Sequence, residues 1–369
     1  MTTLPPSSPT PATAQLSRAQ HVVAEPVLVR HIAQEVSRRN GNAAALCRGL
    51  GFGLPDLERI DFRVSFAQTS RVILRAERML GQDDLGLRLG ANFSLVSWGL
   101  CFVGVMACAR PQQALEFAFD FQPSTGRFLR LHKQTVQGQF IATAEPEFDT
   151  EDGVTQFLVH HTFAAVTRLC RFVIAPWYGP KRVELRSATP ADARVHEAAF
   201  GCPVRFGCRM NRVVFDLIDH PIATADPSVA AMCRHALELQ RSGVGAPSEL
   251  EAAIVRALRV DLRSPPTMAA IAASINLSER TLRRRLLESG LSYAALLDQE
   301  RMRRALDLLH GGELTLGLVA EASGFADARS LRRAIKRWTG RTPTHFRSRG
   351  WPRLRLGGAP RRALDAGLR

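Results

Sequence analysis

The sequence predicts an α+β N-terminal domain followed by an all-α C-terminal domain with two helix-turn-helix motifs joined by a linker helix. Three observations lead there. The chain repeats itself near its C-terminus, its first 250 residues pass from helical to alternating apolar patterns, and its positive charge is concentrated over the repeat.

The repeat comes first. Ile271-Ala272-Ala273-Ser274-Ile275-Asn276-Leu277-Ser278-Glu279-Arg280-Thr281-Leu282-Arg283-Arg284 is echoed, with one inserted residue, by Val319-Ala320-Glu321-Ala322-Ser323-Gly324-Phe325-Ala326-Asp327-Ala328-Arg329-Ser330-Leu331-Arg332-Arg333. Each copy reads as a short apolar helix, a tight turn, a capping residue and an arginine-dense helix. A second helix of that kind is suited to a DNA major groove.

Length and charge agree with two domains. A chain of 369 residues exceeds one typical compact domain. From Glu251 onward there are 23 Arg and Lys against 11 Asp and Glu, so +12 of the net +15 falls there. A basic stretch alone is a solvated face; coincident with the repeat, it favours attraction to phosphate. Only Lys133, Lys181 and Lys336 are lysines. The arginine excess suits bidentate contacts to guanine and phosphate, although a compositional bias would produce the same skew.

The seven cysteines (Cys47, Cys101, Cys108, Cys170, Cys202, Cys208 and Cys233) are odd in number and lack a C-x-x-C pair. This pattern fits reduced cytoplasmic thiols rather than a disulfide framework or zinc site. The first 20 residues lack the basic start and apolar core of a secretory signal. The apolar run Leu95 to Ala109 is shorter than a membrane span and is expected to be a buried helix. The expected location is the cytoplasm, at the nucleoid, with no membrane partner.

Along the N-terminal part, residues 1–20 are expected to be disordered. Phe66, Ile73, Ala76 and Leu80 share one face of a helix, and Asp83–Leu89 and Trp98–Ala109 also read as helices. Pro111 is placed to start the helix carrying Leu115, Phe117 and Phe119. Phe128–Ala144 alternates around Gln137-Gly138, which predicts a β-hairpin. Val154–Ile174 is helical, and strands at Val183–Leu185 and Val204–Phe215 flank a helix near Pro190–Phe200. The expected domains are a sensing and dimerisation domain over 21–238, a linker over 239–247, a DNA-binding domain over 248–349 and a basic tail over 350–369.

Within the C-terminal domain, Ser248-Glu249-Leu250-Glu251 reads as a capping box opening the entry helix. Met268–Ser274 is the first positioning helix and Ser278 caps the first recognition helix. Leu282 and Leu286 face the core, while Arg280, Thr281, Arg283 and Arg284 project away from it. Glu279 lies near enough to the helix start to touch a base or to favour the helix dipole. Ser292–Leu309 is the linker helix, with a stripe of Met302, Ala305, Leu306 and Leu309. The second unit starts near Thr315. Gly324 takes the turn, and Asp327 caps a helix carrying Arg329, Ser330, Arg332, Arg333, Lys336 and Arg337. Gly340 ends that helix, and Thr342-Pro343 opens a last short one.

Gly324-Phe325-Ala326-Asp327, with Arg333, Lys336-Arg337-Trp338-Thr339-Gly340-Arg341-Thr342-Pro343 and Phe346-Arg347, resembles the C-terminal signature of the AraC/XylS family of bacterial transcription regulators. The resemblance covers about 100 residues from Ser248 to Arg349; Leu331 and Ile335 depart from it, standing where the family commonly has Phe. It implies double-stranded promoter DNA as partner. Base-reading positions would be Arg280, Arg283 and Arg284 in the first helix and Arg329, Arg332 and Arg333 in the second. Ser278, Glu279, Thr281, Ser330, Lys336 and Arg337 complete the expected contact set. A phosphate contact, which positions without reading, is the alternative for each arginine.

Leu85-Gly86-Leu87-Arg88-Leu89-Gly90, Trp98-Gly99-Leu100 and the helix after Arg110-Pro111 resemble the arabinose-binding-type sensor domain of one branch of that family, over roughly residues 25–215. By that resemblance the chain is a ligand-responsive activator of a metabolic operon. It would take a small-molecule effector, form homodimers and contact RNA polymerase if it activates. The residues name no effector-binding position, no cofactor and no metal site. Adjacent His160 and His161 diverge by about 100° on a helix, which disfavours a metal clamp and favours satisfied structural histidines. Trp98, Trp177 and Tyr178 line either a pocket or the core. Two alternatives stand beside the regulator. One is an effector-independent DNA-binding protein whose N-terminal domain only dimerises. The other is a DNA-repair alkyltransferase, which the absence of a Pro-Cys-His-Arg stretch disfavours: Gly201-Cys202-Pro203-Val204 has no adjacent histidine to activate a thiolate. A lone Cys202-Pro203 does not specify haem ligation either.

Overall fold

A computed structural model of the chain describes residues 19–59, 61–81, 84–121, 128–241, 248–310 and 314–347. Most of the segments expected to be a disordered start, linker and basic tail lie outside the described residues. By contacts the chain divides into two compact units: Met1–Arg48 with Gly53–Gly243, and Gly49–Phe52 with Val244–Arg369.

The first unit begins with a two-stranded antiparallel ribbon, β1 (Val22–Ala24) and β2 (Val64–Ser65). Between them lie α1 (Val27–Arg38), α2 (Ala44–Cys47) and a short 3-10 turn, Leu54–Glu58. α3 (Phe66–Leu80) starts at a reciprocal cap: Ser65 Oγ accepts the Gln68 N–H at 2.9 Å, and the Ser65 N–H donates to Gln68 Oε1 at 3.0 Å. α4 (Leu85–Ala91), α5 (Leu100–Met106) and α6 (Pro111–Phe121) follow, the last opened by its proline as expected.

The sheet then forms. β3 (Leu129–Val136) and β4 (Gln139–Pro146) are a hairpin whose two-residue loop, Gln137-Gly138, has φ of 51° and 74°. Positive φ at both loop residues matches the right-handed strand twist. α7 (Asp152–Val173), β5 (Arg182–Glu184), α8 (Arg194–Phe200), β6 (Val204–Arg205), β7 (Asn211–Asp216) and α9 (Pro227–Arg241) complete the unit. The strand order is β3-β4-β7-β5-β6, antiparallel except for the β5–β6 pair. β7 buries Val213, Val214 and Phe215 in succession, so both faces of the sheet are covered there. Phe119 of α6 stacks on Phe140 of β4 with ring centroids 5.8 Å apart, joining helices to sheet. α4 lies close along α7. Cβ atoms at Gly86 and Gly90 would each stand 2.4 Å from a backbone oxygen of α7, those of Phe157 and His161.

Several sequence expectations need correction in this unit. The helix expected over Trp98–Ala109 is shorter: a 3-10 turn covers Leu95–Trp98, and Gly99 at φ 53° and ψ −128° separates it from α5. Nor is the Leu95–Ala109 run wholly buried, because Val96 is 80% exposed. The expected strand Val204–Phe215 is two strands, interrupted at Phe206–Met210, where Gly207 has φ 67°. Trp98 and Tyr178 are buried, whereas Trp177 is exposed. His160 and His161 are buried, yet they are not satisfied: among the described residues His160 Nε2 and both His161 ring nitrogens find no hydrogen-bond partner. Burial lowers both pKa values to about 3, so the rings are neutral.

The second unit is all helical among its described residues: α10 (Glu249–Val260), α11 (Met268–Ser274), α12 (Glu279–Glu288), α13 (Tyr293–His310), α14 (Leu316–Ala322), α15 (Ala328–Thr339) and α16 (Pro343–Arg347). Side-chain oxygens cap six starts. Ser248, Thr267, Ser278, Ser292, Thr315 and Asp327 accept the N–H of Glu251, Ala270, Thr281, Ala295, Leu318 and Ser330 respectively. Two cores result. Ile254, Leu258, Ile271, Leu282, Leu286 and Leu296 form one; Ala305, Leu309, Val319, Leu331 and Ile335 form the other. α13 serves both, Leu296 entering the first and Leu309 the second. Its 18 residues span roughly 27 Å.

Candidate nucleic-acid interface

Two turns of the same geometry place the two arginine-rich helices. In the first, Asn276 takes φ 55°, and the Leu277 N–H returns to the Ala272 carbonyl at 2.8 Å. In the second, Gly324 takes φ 77°, and the Phe325 N–H returns to the Ala320 carbonyl at 2.9 Å. The inserted Ala326 lengthens only the step from turn to cap. Ser278 Oγ caps α12 and also shares a hydrogen bond with Thr281 Oγ1 at 2.8 Å. Asp327 caps α15 at 2.6 Å, and hydrogen bonds from Ser330 hold its carboxyl below the usual carboxylate range.

Caps and buried leucines fix which side chains face outward. Counting from the caps, Leu282 and Leu331 are equivalent, as are Leu286 and Ile335; all are buried. The opposite faces then match by position. Arg280, Arg283, Arg284 and Leu287 follow i, i+3, i+4, i+7 on α12, and Arg329, Arg332, Arg333 and Lys336 follow the same spacing on α15. All eight are exposed, Leu287 at 80%. Thr281 and Ser330 are half-buried at the flank.

The two faces differ in their free charge. On α12, Arg283 donates to Glu279 Oε1 at 2.6 Å and Arg284 lies 3.7 Å from Glu288. Among the described residues, Arg280, Arg329, Arg332, Arg333 and Lys336 have no ion-pair partner. Arg337 sits aside from the outward face: it donates to Asp298 Oδ2 of α13 at 2.8 Å, and the Trp338 indole N–H reaches the same oxygen at 3.4 Å. Thus the structure groups most of the expected contact residues on two outward faces and ties Arg337 to the linker helix. The contact set expected from sequence omits Leu287, although its seven-residue spacing from Arg280 and its correspondence with Lys336 are both legible there.

The linker helix is held from beneath. Glu300 is 4% exposed and its carboxylate accepts from Arg259 Nε at 2.8 Å, Arg259 Nη2 at 3.2 Å and Arg303 Nε at 2.9 Å. A buried carboxylate is tolerated there because two guanidinium groups neutralise and hydrogen-bond it.

The first unit has a cleft of about 540 Å³ between α1, α4 and the segment after α4. His31, Arg38, Arg39, Arg88, Asn92 and Phe93 are among its lining. Glu35 partly balances these cations, accepting from Arg38 and Arg39 at 2.9 and 2.6 Å, and Arg88 pairs with Asp84 at 2.7 Å. Burial, aided by the nearby Arg30 charge, lowers the His31 pKa to about 4. Elsewhere burial raises Cys47, Cys108 and Cys202 to about 11 and Cys170 to about 12, so these four thiols are not primed as nucleophiles. Among the described residues no His, Cys, Asp and Glu cluster could hold a metal, and no helix is long and apolar enough to cross a membrane.

Comparison with known proteins bears on both units. A family model described as the arabinose-binding domain of AraC transcription regulator, N-term, matches residues 41–219, and a helix-turn-helix domain model matches residues 271–349. The ornithine utilization regulator of Pseudomonas aeruginosa is 25% identical over 77% of this chain and 84% of its own. The HTH-type transcriptional regulator VirS of Mycobacterium tuberculosis is 28% identical over 83% of this chain and 94% of its own. Among solved structures, the transcriptional regulator CdpR from Pseudomonas aeruginosa aligns over 87% of this chain and 97% of its own, at 21% identity and a TM-score of 0.44. These relatives are transcription regulators, not enzymes.

Proposed function

The chain belongs to the AraC/XylS family of transcription regulators and is a DNA-binding regulator, and from that premise we propose that it is a cytoplasmic, ligand-responsive activator of a metabolic operon. The observation that carries the DNA contacts is the pair of outward faces, Arg280, Arg283, Arg284 and Leu287 beside Arg329, Arg332, Arg333 and Lys336. Ser278, Glu279, Thr281, Ser330 and Arg337 flank them. Each recognition helix enters a major groove, and one chain covers two successive groove faces about 34 Å apart. Arginines at these positions favour guanine-containing half-sites, because guanidinium pairs bidentately with guanine O6 and N7. The domain division is that of the sequence: a sensor over 21–238 and a reading domain over 248–349.

The cleft lined by Arg38, Arg39, Arg88 and Asn92 is the place in this unit where a small-molecule effector would sit, its cationic side chains suiting an anionic group. The name of the ornithine utilization regulator supports a metabolic target. Activation would add a contact to RNA polymerase. The exposed Val96, Leu100, Val103 and Phe172 favour a further role of the same unit in pairing with a second copy.

Footprinting on the promoter beside the chain's own gene tests the DNA reading. Protection of two adjacent groove faces is expected, and the absence of any sequence-specific protection overturns it. A thermal-shift screen against metabolites tests the effector, because a ligand of the folded state raises its melting temperature. No shift with any metabolite, alongside an intact footprint, leaves the dimer-only reading.

A further inference from the structure

We propose that Leu287 reads the 5-methyl group of a thymine in the operator. This proposal rests on the DNA-binding reading above. Leu287 stands on the outward face of α12 in line with Arg280, Arg283 and Arg284, and it is 80% exposed. It cannot donate or accept a hydrogen bond, so it makes no phosphate contact of the kind its neighbours can make. Its equivalent on α15, nine residues after the cap, is Lys336, a residue suited to phosphate.

The major groove presents one apolar group on its base edges, the thymine methyl. Leu287 lies seven residues beyond Arg280, roughly 10 Å along the helix axis, which is about three base-pair steps. Arginines on the same face hold the helix against phosphate and guanine, and this places the isobutyl group where a methyl can cover it. Covering both apolar groups removes them from water, and one methyl's worth of burial corresponds to about a fourfold change in affinity. The first head would then read G through its arginines and T through Leu287, while the second head grips the backbone at the matching place.

The test uses the full chain. Bound duplexes are first selected from a random pool, and each thymine of the selected site is then replaced singly by deoxyuridine, which lacks only the methyl. One thymine in the half-site of α12 is expected to weaken binding about fourfold when demethylated. Leu287→Ala should bind the thymine and deoxyuridine duplexes equally. Leu287→Lys should do the same while steepening the salt dependence. Uniform tolerance of deoxyuridine by the wild-type chain overturns the proposal, as does a methyl effect that persists in Leu287→Ala. Loss of transcriptional activation in Leu287→Ala with its DNA binding unchanged also overturns it and assigns the leucine to a protein contact. Failure to enrich any sequence overturns the DNA-binding reading itself, which separates the two failures.

Discussion

Asn276 and Gly324 hold the same left-handed place in the two turns, at φ 55° and 77°, and Gly324 is also pressed against other backbone: a Cβ there would lie 2.1 Å from the Leu262 carbonyl oxygen. Asparagine is the non-glycine residue that tolerates this conformation best, so the first turn survives without glycine. The second cannot, because strain and collision coincide.

Gly324→Ala is therefore expected to destabilise the helical unit by roughly 2–3 kcal/mol, whereas Asn276→Gly should leave it within about 1 kcal/mol. Urea midpoints of the two variants check this. Equal losses would show that the approach to Leu262 carries no cost.

Glu300 makes a second stability prediction. Glu300→Gln keeps the shape but leaves the Arg259 and Arg303 guanidinium groups facing a neutral amide. Breaking a buried pair by neutralising one partner is strongly destabilising. Both arginines here retain some solvent, so a loss of roughly 2 kcal/mol is expected rather than the full buried value. A double-mutant cycle with Arg259→Met should show coupling between the two; additive losses would remove the pair from the account.

The pairing pattern on the two faces predicts unequal salt dependence. Among the described residues Arg329, Arg332, Arg333 and Lys336 have no ion-pair partner, Arg333 feeling only the nearby charge of Asp327, while Arg283 and Arg284 are engaged by Glu279 and Glu288. Removing the α15 cations should reduce the slope of log affinity against log salt by about 0.9 per lost phosphate contact. Removing the α12 arginines should change sequence preference more than slope. Glu279→Gln, which releases Arg283, should steepen the slope. Equal slope losses from the two helices would contradict this division.

The neutral histidines of the first unit make it acid-sensitive. His31, His160 and His161 have folded pKa values of about 4, 3 and 3, below the value of about 6.5 for an unfolded imidazole. As pH falls below about 6.5 the unfolded chain takes up protons that the folded one refuses, so stability is lost through that window and is fully present above it. Between about pH 6.5 and about pH 4.5 each fully buried ring should contribute roughly 2 kcal/mol of that loss. His161→Phe keeps the volume and should flatten the pH dependence of the urea midpoint. An unchanged pH dependence would exclude His161 as a source.

By itself the sequence determined what local chemistry can write. The capping oxygens of Ser248, Ser278, Thr315 and Asp327 start their helices, Gln137-Gly138 turns the hairpin, and the spacing of Leu282 and Leu286 on α12 and of Leu331 and Ile335 on α15 sets which arginines face outward. Each is decided within a few residues, so the repeat is legible in the order of residues alone. Tertiary structure alone decided the rest. Val204–Phe215 alternates well enough to be one strand, but the chain turns at Gly207 so that β6 can pair parallel with β5 while β7 pairs antiparallel with its other edge. The Leu95–Ala109 run looks continuous and is broken at Gly99. Nothing in the local sequence marks Glu300 for burial, yet it is buried because Arg259, 41 positions away in sequence, folds over it. Likewise Arg337 has the same composition as its neighbours and is turned aside by Asp298. Turns and caps are energies between neighbours in the chain, whereas burial and ion pairing are energies between neighbours in space, and only folding brings the latter together.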